Sequence, residues 1–435
     1  MTATNPPRFW PLAAGLALLI AAARGAWVLH GLPEMPFLDA WSAVDGIALP
    51  LASGTFDPHY LVRLHNEHPL TWTKLLDLIE LRLADDQFDA RPAGLLVALA
   101  TAAVAGLLLA GAARRIGEAR VAFLVAGVAL FALPYAWENL TEDWGNPYLF
   151  LIFGAIATLR LSACGRGPLA AVMLVPALLL SVLAMASGWI APALGIAVVA
   201  ERARRGDLAR ATALAFVLLQ GAAIALAAWL LHGAPETAAT APREVALTIV
   251  QLLIAGVAFL PAFAFGRALL AGDVRPSAGS RRNDLFIAAL ALWGFTHVAA
   301  MVLARPQFRL WLPFSRYMDL LPFALLADMA CALRLAAGAS TCARNALAAG
   351  VRIVAATAVL AAPLPVALYL WQADRFEQAQ ALVARTVQRH DTAAIARADD
   401  SIVPHPDRGY LLARLADPRV RSIVAPSGSC TAPKT

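Results

Sequence analysis

The residues best suited to chemistry in this sequence are His65-Asn66-Glu67-His68, within LVRLHNEHPLTWTK. If this stretch is helical, the two histidines share a face at a spacing of three and can chelate a divalent metal ion, with a third ligand from elsewhere. The spacing differs from that of the HExxH metalloprotease motif, in which the histidines are four apart. Alternatively, Glu67 acts as an acid, a base or a hydroxyl-binding group, or the stretch is a solvated turn at a membrane interface.

A second candidate is Asp39 in PFLDAW, immediately after the first apolar run. A carboxylate at the lipid boundary between aromatic residues can be partly desolvated, which would raise its pKa toward that of a useful general base. The alternative is an ordinary polar residue that caps an interfacial helix. Asp45, six residues later, is a weaker candidate of the same kind.

A third candidate is the arginine cluster in RPQFRLWLPFSRY, formed by Arg305, Arg309 and Arg316 beside Tyr317. Guanidinium groups bind phosphate in a bidentate manner, so the cluster predicts a site for an anionic lipid headgroup. The alternative is that these side chains reach from the end of a membrane span toward water.

A weaker acidic set lies in WENLTEDWGN, in a predicted exterior loop. Its Glu138, Glu142 and Asp143 could add carboxylates to an exterior cavity shared with the candidates above. His297 is interpreted as a core histidine whose hydrogen bonds are satisfied within the protein. No pair of cysteines has the CxxC spacing of a metal site, and the predicted topology leaves the four cysteines unable to form a disulfide framework.

These candidates must be positioned by membrane helices. Of the 435 residues, 60% are hydrophobic and 15% are charged, and the mean hydropathy is +0.66. A soluble domain is about half apolar and about a quarter charged. The net charge of +6 comes mainly from arginines at the ends of apolar runs. This placement argues against a nucleic-acid-binding face.

The sequence predicts an all-α polytopic membrane protein with about eleven transmembrane helices. The apolar runs that predict them lie at about 10–30, 93–112, 121–138, 147–163, 169–186, 189–200, 211–232, 245–266, 285–304, 317–335 and 351–371.

The distribution of arginine predicts the orientation. With the N-terminus in the cytoplasm, the inner connections carry 17 arginines and the short outer connections carry four. The chain is therefore expected in the cytoplasmic (inner) membrane, with the first loop and the C-terminal tail on the exterior or periplasmic side. The predicted division is a transmembrane domain at 1–371, which includes the long exterior loop 31–92, and an exported tail at 372–435.

The long loop contains two stretches with helical periodicity, 37–51 and 70–83. In the second, Trp72, Ile79 and Leu83 belong to an apolar stripe, and the charged residues lie off it. Both stretches are interpreted as amphipathic helices in the membrane interface that form a platform over the outer ends of the spans.

The exterior Asp39 directly after the first span, the HNEH motif in a long first loop, the late tripeptide Ser315-Arg316-Tyr317 and the exported tail together resemble the GT-C superfamily of integral-membrane glycosyltransferases. The resemblance implies transfer of a sugar from a polyprenyl-phosphate donor to an exported glycan, lipid or protein acceptor, with membrane lipid as a further partner and without nucleic acid.

In this scheme Asp39 deprotonates the acceptor hydroxyl, and Arg309 and Arg316 stabilise the departing phosphate. Glu67 and His68 position the acceptor or hold a metal. No cofactor is certain, and a divalent metal ion at His65 and His68 stays open. Members of the superfamily often have paired acidic residues at the first-loop site, whereas Ala40 follows Asp39 here. Glu34, Asp45 and Glu67 are therefore alternative bases.

Three other classes of protein are alternatives. A transporter or flippase of lipid-linked sugars would need charged residues or broken helices at mid-membrane, which the sequence does not reveal. A metal-dependent membrane hydrolase would be built around His65 and His68. A non-catalytic assembly protein is the least specific alternative.

Overall fold

The computed structural model describes residues 8–84, 87–116, 119–141, 146–232, 242–274, 278–304, 315–389 and 392–424. The predicted all-α class is confirmed, since these residues form helices joined by short turns. The described residues contain one β-bridge, between His65 and His68.

Twenty α-helices are described, several of them a single turn long. They are α1 (Phe9–Gly31), α2 (Trp41–Ala43), α3 (Leu49–Ala52), α4 (Thr71–Leu83), α5 (Arg91–Ala113), α6 (Arg120–Ala132), α7 (Trp137–Thr141), α8 (Asn146–Cys164), α9 (Gly167–Val182), α10 (Ile190–Arg204), α11 (Arg210–Leu230), α12 (Pro242–Ala258), α13 (Leu260–Ala271), α14 (Ala278–Ala304), α15 (Leu320–Ala336), α16 (Thr341–Leu360), α17 (Pro363–Arg389), α18 (Thr392–Arg397), α19 (Arg408–Ala416) and α20 (Pro418–Val424).

The predicted count of eleven membrane spans is wrong. Within the described residues, six helices are long and apolar enough to cross a membrane, or seven if the bent pair α12–α13 is one span. Helices α6, α9, α10 and α15 have 13, 16, 15 and 17 residues. At about 1.5 Å per residue they fall short of a hydrocarbon core of about 30 Å. Apolar runs in the sequence did not distinguish such short buried helices from spans.

The six spanning candidates are Phe9–Gly31, Arg91–Ala113, Asn146–Cys164, Arg210–Leu230, Arg281–Leu303 and Thr341–Arg389. Many of their large apolar side chains are exposed on the outside of the bundle, as Leu18 and Leu218 show. This is the surface expected of helices in contact with lipid. The chain is therefore a multi-pass membrane protein.

The connections gather at two ends of the helix bundle. At one end, called the arginine end, Arg202 donates to the carbonyls of Ser162 and Gly165, and Arg334 pairs with Asp284. Several arginines predicted to be cytoplasmic lie at this end, among them Arg204, Arg205 and Arg281, which pair with Glu201. The direction in which this end faces stays a prediction.

The other end, called the platform end, carries the first loop and the C-terminal segment as one layer. The Leu38 N–H donates to the Pro404 carbonyl, and the Phe88 N–H donates to the Ile423 carbonyl. The rings of Phe37 and Phe376 lie 3.9 Å apart. Helix α17 continues through position 371, and the segment after it packs on the first loop instead of forming a separate unit.

The loop helix α4 turns its polar side toward the protein. Thr73, Lys74 and Asp77 are buried, whereas Ile79 and Leu83 are 46% and 82% exposed. An outward apolar stripe is the arrangement expected of a helix at a membrane interface. The other predicted stretch, 37–51, forms successive helical turns over 38–52, including α2 and α3.

Candidate functional site

The HNEH motif forms a tight turn, not a helix. The His65 N–H donates to the His68 carbonyl at 2.8 Å, and the His68 N–H returns the bond at 2.9 Å. Asn66 adopts a positive φ of 51°, which asparagine accepts more readily than most residues. The metal interpretation required His65 and His68 to share a face of a helix, and this stretch is not helical.

Lys74 holds the loop on both sides of this turn. Its buried ammonium group donates to the carbonyls of Tyr60 and Pro69, each at 3.2 Å, and to that of Arg63. Burial lowers the pKa of Lys74 to about 8. Three carbonyl acceptors match the three donors of an ammonium group, so this one side chain fixes the path of the segment that leads to the turn.

The turn is anchored on the end of α9 and on the connection that follows it. The Thr71 N–H donates to the Leu183 carbonyl at 3.0 Å, and the Trp72 indole N–H donates to the Leu179 carbonyl at 3.0 Å. The Ala186 N–H donates to Nδ1 of His68 at 3.3 Å. These bonds place Glu67 and His68 over the bundle, where they meet a cavity.

This cavity, called the lipid cavity below, has a volume of about 410 Å³. Glu67, His68 and Tyr317 line it, and most of its remaining surface is apolar. Ile254 in α12 also lines it and is 56% exposed, so the cavity reaches the outer surface of the bundle. The other lining residues are Tyr148, Leu151, Met185, Ala186, Ser187, Ala255, Ala258, Phe259, His297, Val298, Ala300, Met301, Met318, Leu320, Leu321 and Leu325.

The segment that supplies Tyr317 is the turn Ser315–Asp319, called the SRYMD turn. Arg24 of α1 pairs with Oδ1 of Asp319 at 3.0 Å, and the Asn139 amide donates to Oδ2 of Asp319 at 2.8 Å. The rings of Tyr317 and Tyr148 meet edge to face at 5.6 Å. The sequence interpretation missed Arg24 and Asp319, although an arginine inside the first apolar run was a visible signal.

Asp39 lies beside the HNEH turn and does not line the lipid cavity. Its Oδ1 is 4.0 Å from Nε2 of His65, and its side chain is 52% exposed. The protein therefore covers about half of this side chain. Burial does lower the pKa of His65, an effect that the nearby Asp39 carboxylate opposes.

Two of the alternative bases have structural partners. Glu34 pairs with Arg91 at 2.6 Å. Asp45 pairs with Arg414 at 2.8 Å and accepts the Tyr410 hydroxyl at 2.8 Å, which joins the first loop to α19. These contacts give both carboxylates a role in holding the platform layer together.

Several predicted residues cannot be placed. Arg305, Arg309, Glu142 and Asp143 lie outside the described residues, and only the backbone of Arg316 is described. The backbone of Arg316 directly precedes Tyr317 in the SRYMD turn.

His297 differs from its interpretation as a satisfied core histidine. Its Nδ1 is 3.1 Å from the Trp293 carbonyl, but its buried Nε2 has no hydrogen-bond partner in the described part of the chain. His297 also lines the lipid cavity. The histidine thus brings a polar group to an otherwise apolar wall.

A broken helix borders the same cavity, contrary to the sequence prediction. Helices α12 and α13 meet at Phe259 with a bend of 58°. The buried Asp328 of α15 accepts the Ala262 N–H at 2.9 Å, which satisfies a backbone donor that the break exposes. A proline at 261 was the visible signal for the break.

Across the described ranges, no group of three or more His, Cys, Asp or Glu residues could hold a metal ion. Comparisons with protein-family models, with curated proteins and with solved structures gave no match.

Proposed function

We propose that this protein is a membrane glycosyltransferase of GT-C type that moves a sugar from a polyprenyl-phosphate donor to an exported acceptor at the platform end. The observation that carries the proposal is the composition of the lipid cavity. It joins an apolar volume of about 410 Å³, open toward the lipid-facing surface, to the carboxylate of Glu67, the imidazole of His68 and the phenol of Tyr317. A prenyl chain fits the apolar part, and a sugar phosphate fits the polar end.

The carboxylates of Glu67 and Asp39 are assigned to different substrates, the donor and the acceptor. Glu67 lines the cavity and is placed to accept hydrogen bonds from hydroxyl groups of the donor sugar. Asp39 is half exposed on the other side of His65, where an acceptor would arrive from the aqueous phase. We assign Asp39 as the general base and Glu67 as a donor-binding residue.

The reaction balances with these groups. Asp39 takes the proton of the acceptor hydroxyl while its oxygen attacks the anomeric carbon. The bond from that carbon to the phosphate oxygen breaks, and its electron pair leaves with polyprenyl phosphate. The predicted phosphate contacts are Arg309 and Arg316, which would stabilise this leaving group.

Single substitutions in proteoliposomes test the assignment. With a panel of polyprenyl-phosphate sugars radiolabelled in the sugar and a membrane extract as acceptor, we expect Asp39→Asn to lower transfer by about a hundredfold or more, the range for loss of a general base. We expect Glu67→Gln to raise KM for the donor. The matched control is Asp57→Asn, which changes an exposed carboxylate of the same loop and should leave transfer unchanged.

Each of these measurements can contradict one part of the proposal. Full activity of Asp39→Asn removes Asp39 as the base, and an unchanged donor KM in Glu67→Gln removes Glu67 from the donor site. Absence of transfer by the wild-type protein with every donor in the panel overturns the glycosyltransferase proposal.

A second candidate function, transport of a lipid-linked sugar across the membrane, is favoured by the α12–α13 break and by Asp328 beside it. Discontinuous helices and buried carboxylates are typical of transport pathways. Dithionite quenching of a fluorescent polyprenyl-phosphate sugar in liposomes tests it. Transport by the wild-type protein that Asp328→Asn abolishes, without any sugar transfer, would replace the first proposal with the second.

A further inference from the structure

A second large cavity lies at the arginine end, where no function has been assigned. It has a volume of about 680 Å³ and is bounded by α1, α5, α8 and α14. Apolar side chains such as Leu107, Ile156 and Ile287 line its body. Arg114, Arg115 and Arg160 also line it.

Neighbouring arginines at this end form ion pairs with carboxylates. At the same end, Arg204, Arg205 and Arg281 all pair with Glu201. Asp284 attracts Arg115 electrostatically, but its carboxylate is bound by Arg334 at 2.8 Å. The described residues that line the cavity include three arginines and no carboxylate, so its wall is net positive.

Their side chains are supported by neutral groups. Arg160 donates to the Asn283 amide oxygen, and its guanidinium lies 5.4 Å from the centre of the Phe286 ring. The guanidinium of Arg114 lies 5.8 Å from the centre of the Phe9 ring. Amide and aromatic contacts orient a guanidinium without cancelling its charge, so an anion can still bind it.

We propose that this cavity binds an anionic phospholipid, with the lipid phosphate on Arg114, Arg115 and Arg160 and an acyl chain along the apolar wall. Basic pockets between membrane helices are suited to this ligand because guanidinium binds phosphate oxygens in pairs. Leu107 is 43% exposed on the outside of the bundle, which gives an acyl chain a continuous apolar path from the bilayer. The site is independent of the lipid cavity and of the proposed glycosyltransferase activity.

Lipid binding to the purified full-length protein tests the proposal. The probe is fluorescent phosphatidylglycerol titrated into protein in neutral detergent, with fluorescent phosphatidylcholine as the uncharged comparison. We expect the wild-type protein to prefer phosphatidylglycerol. The triple variant R114Q/R115Q/R160Q should lose on the order of a hundredfold in affinity for it, because each arginine near a lipid phosphate contributes about fivefold. The matched control is R166Q/R210Q/R344Q, which removes three exposed arginines at the same end that do not line the cavity.

Three results would overturn the proposal. The first is equal affinity of the wild-type protein for the two lipids. The second is an equal loss in the control variant, which would mean that net charge and not this cavity selects the lipid. The third is displacement of the lipid by inorganic phosphate at a comparable concentration, which would identify a free anion as the ligand. A loss confined to R114Q/R115Q/R160Q, with the thermal unfolding midpoint unchanged, supports it.

Discussion

The buried guanidinium of Arg24 and the carboxylate of Asp319 form an ion pair at 3.0 Å that joins the first membrane helix to the SRYMD turn. The two side chains are 4% and 10% exposed. Since Asp319 is two residues from Tyr317, the pair determines where the turn meets the lipid cavity. A charge in the first span and a charge in a late loop thus act together to position the candidate site.

Loss of one partner should destabilise the protein strongly. Asp319→Asn leaves Arg24 buried without a counter-charge, so we expect the free energy of unfolding to fall by about 3 kcal/mol or more. Chemical denaturation in detergent, followed by near-ultraviolet circular dichroism, measures this change. The control Asp400→Asn breaks a pair in which Asp400 is 94% exposed and should cost less than about 1 kcal/mol.

The double variant Arg24→Met/Asp319→Leu removes both charges and should regain most of the stability that Asp319→Asn loses, because apolar side chains then fill the same site. Equal destabilisation in the single and double variants would show that the charge of Arg24 is not the cause.

Filling the lipid cavity should block the donor without disturbing the fold. Ala258 lines the cavity at its exposed side, so Ala258→Trp places an indole in the path of a prenyl chain. We expect donor affinity, measured with a fluorescent polyprenyl phosphate, to fall by tenfold or more while the unfolding midpoint is retained. The neighbouring Val257 is 73% exposed and does not line the cavity, which makes Val257→Trp the matched control. Equal affinities in the two variants would place the chain elsewhere.

The contact between Asp45 and Arg414 should hold the C-terminal segment on the first loop. The pair is partly exposed, so we expect Asp45→Asn to lower the opening free energy of α19 by about 1 kcal/mol or less. Hydrogen exchange over 408–416 measures this as up to about a fivefold faster exchange. Sugar transfer should persist in this variant, and its abolition would make Asp45, and not Asp39, the candidate base.

The sequence predicted the helical class and membrane insertion. Apolar runs predict both features because they depend only on residues that are close together in the sequence. A turn at His65–His68 was one of the open alternatives, and the sequence did not select it because it depends on backbone bonds and on Lys74 closing the loop. The span count failed because 13 to 17 apolar residues suit a buried helix as well as a short crossing segment. The partners of Arg24 and Asp45 lie hundreds of positions away, beyond any periodicity.

The pH dependence of stability should report the burial of His65. Burial lowers its pKa below the usual 6.5, so the folded state binds fewer protons than the unfolded state between the lowered pKa and about 6.5. The contribution of the neutral imidazole is therefore fully present above about pH 6.5 and is lost as the pH falls through the folded pKa. We expect the unfolding free energy of the wild-type protein to decline over this acidic window, and that of His65→Gln to decline less. Denaturation of both proteins at several pH values between about 5 and about 8 measures the difference, and parallel curves would show that His65 is not the titrating group.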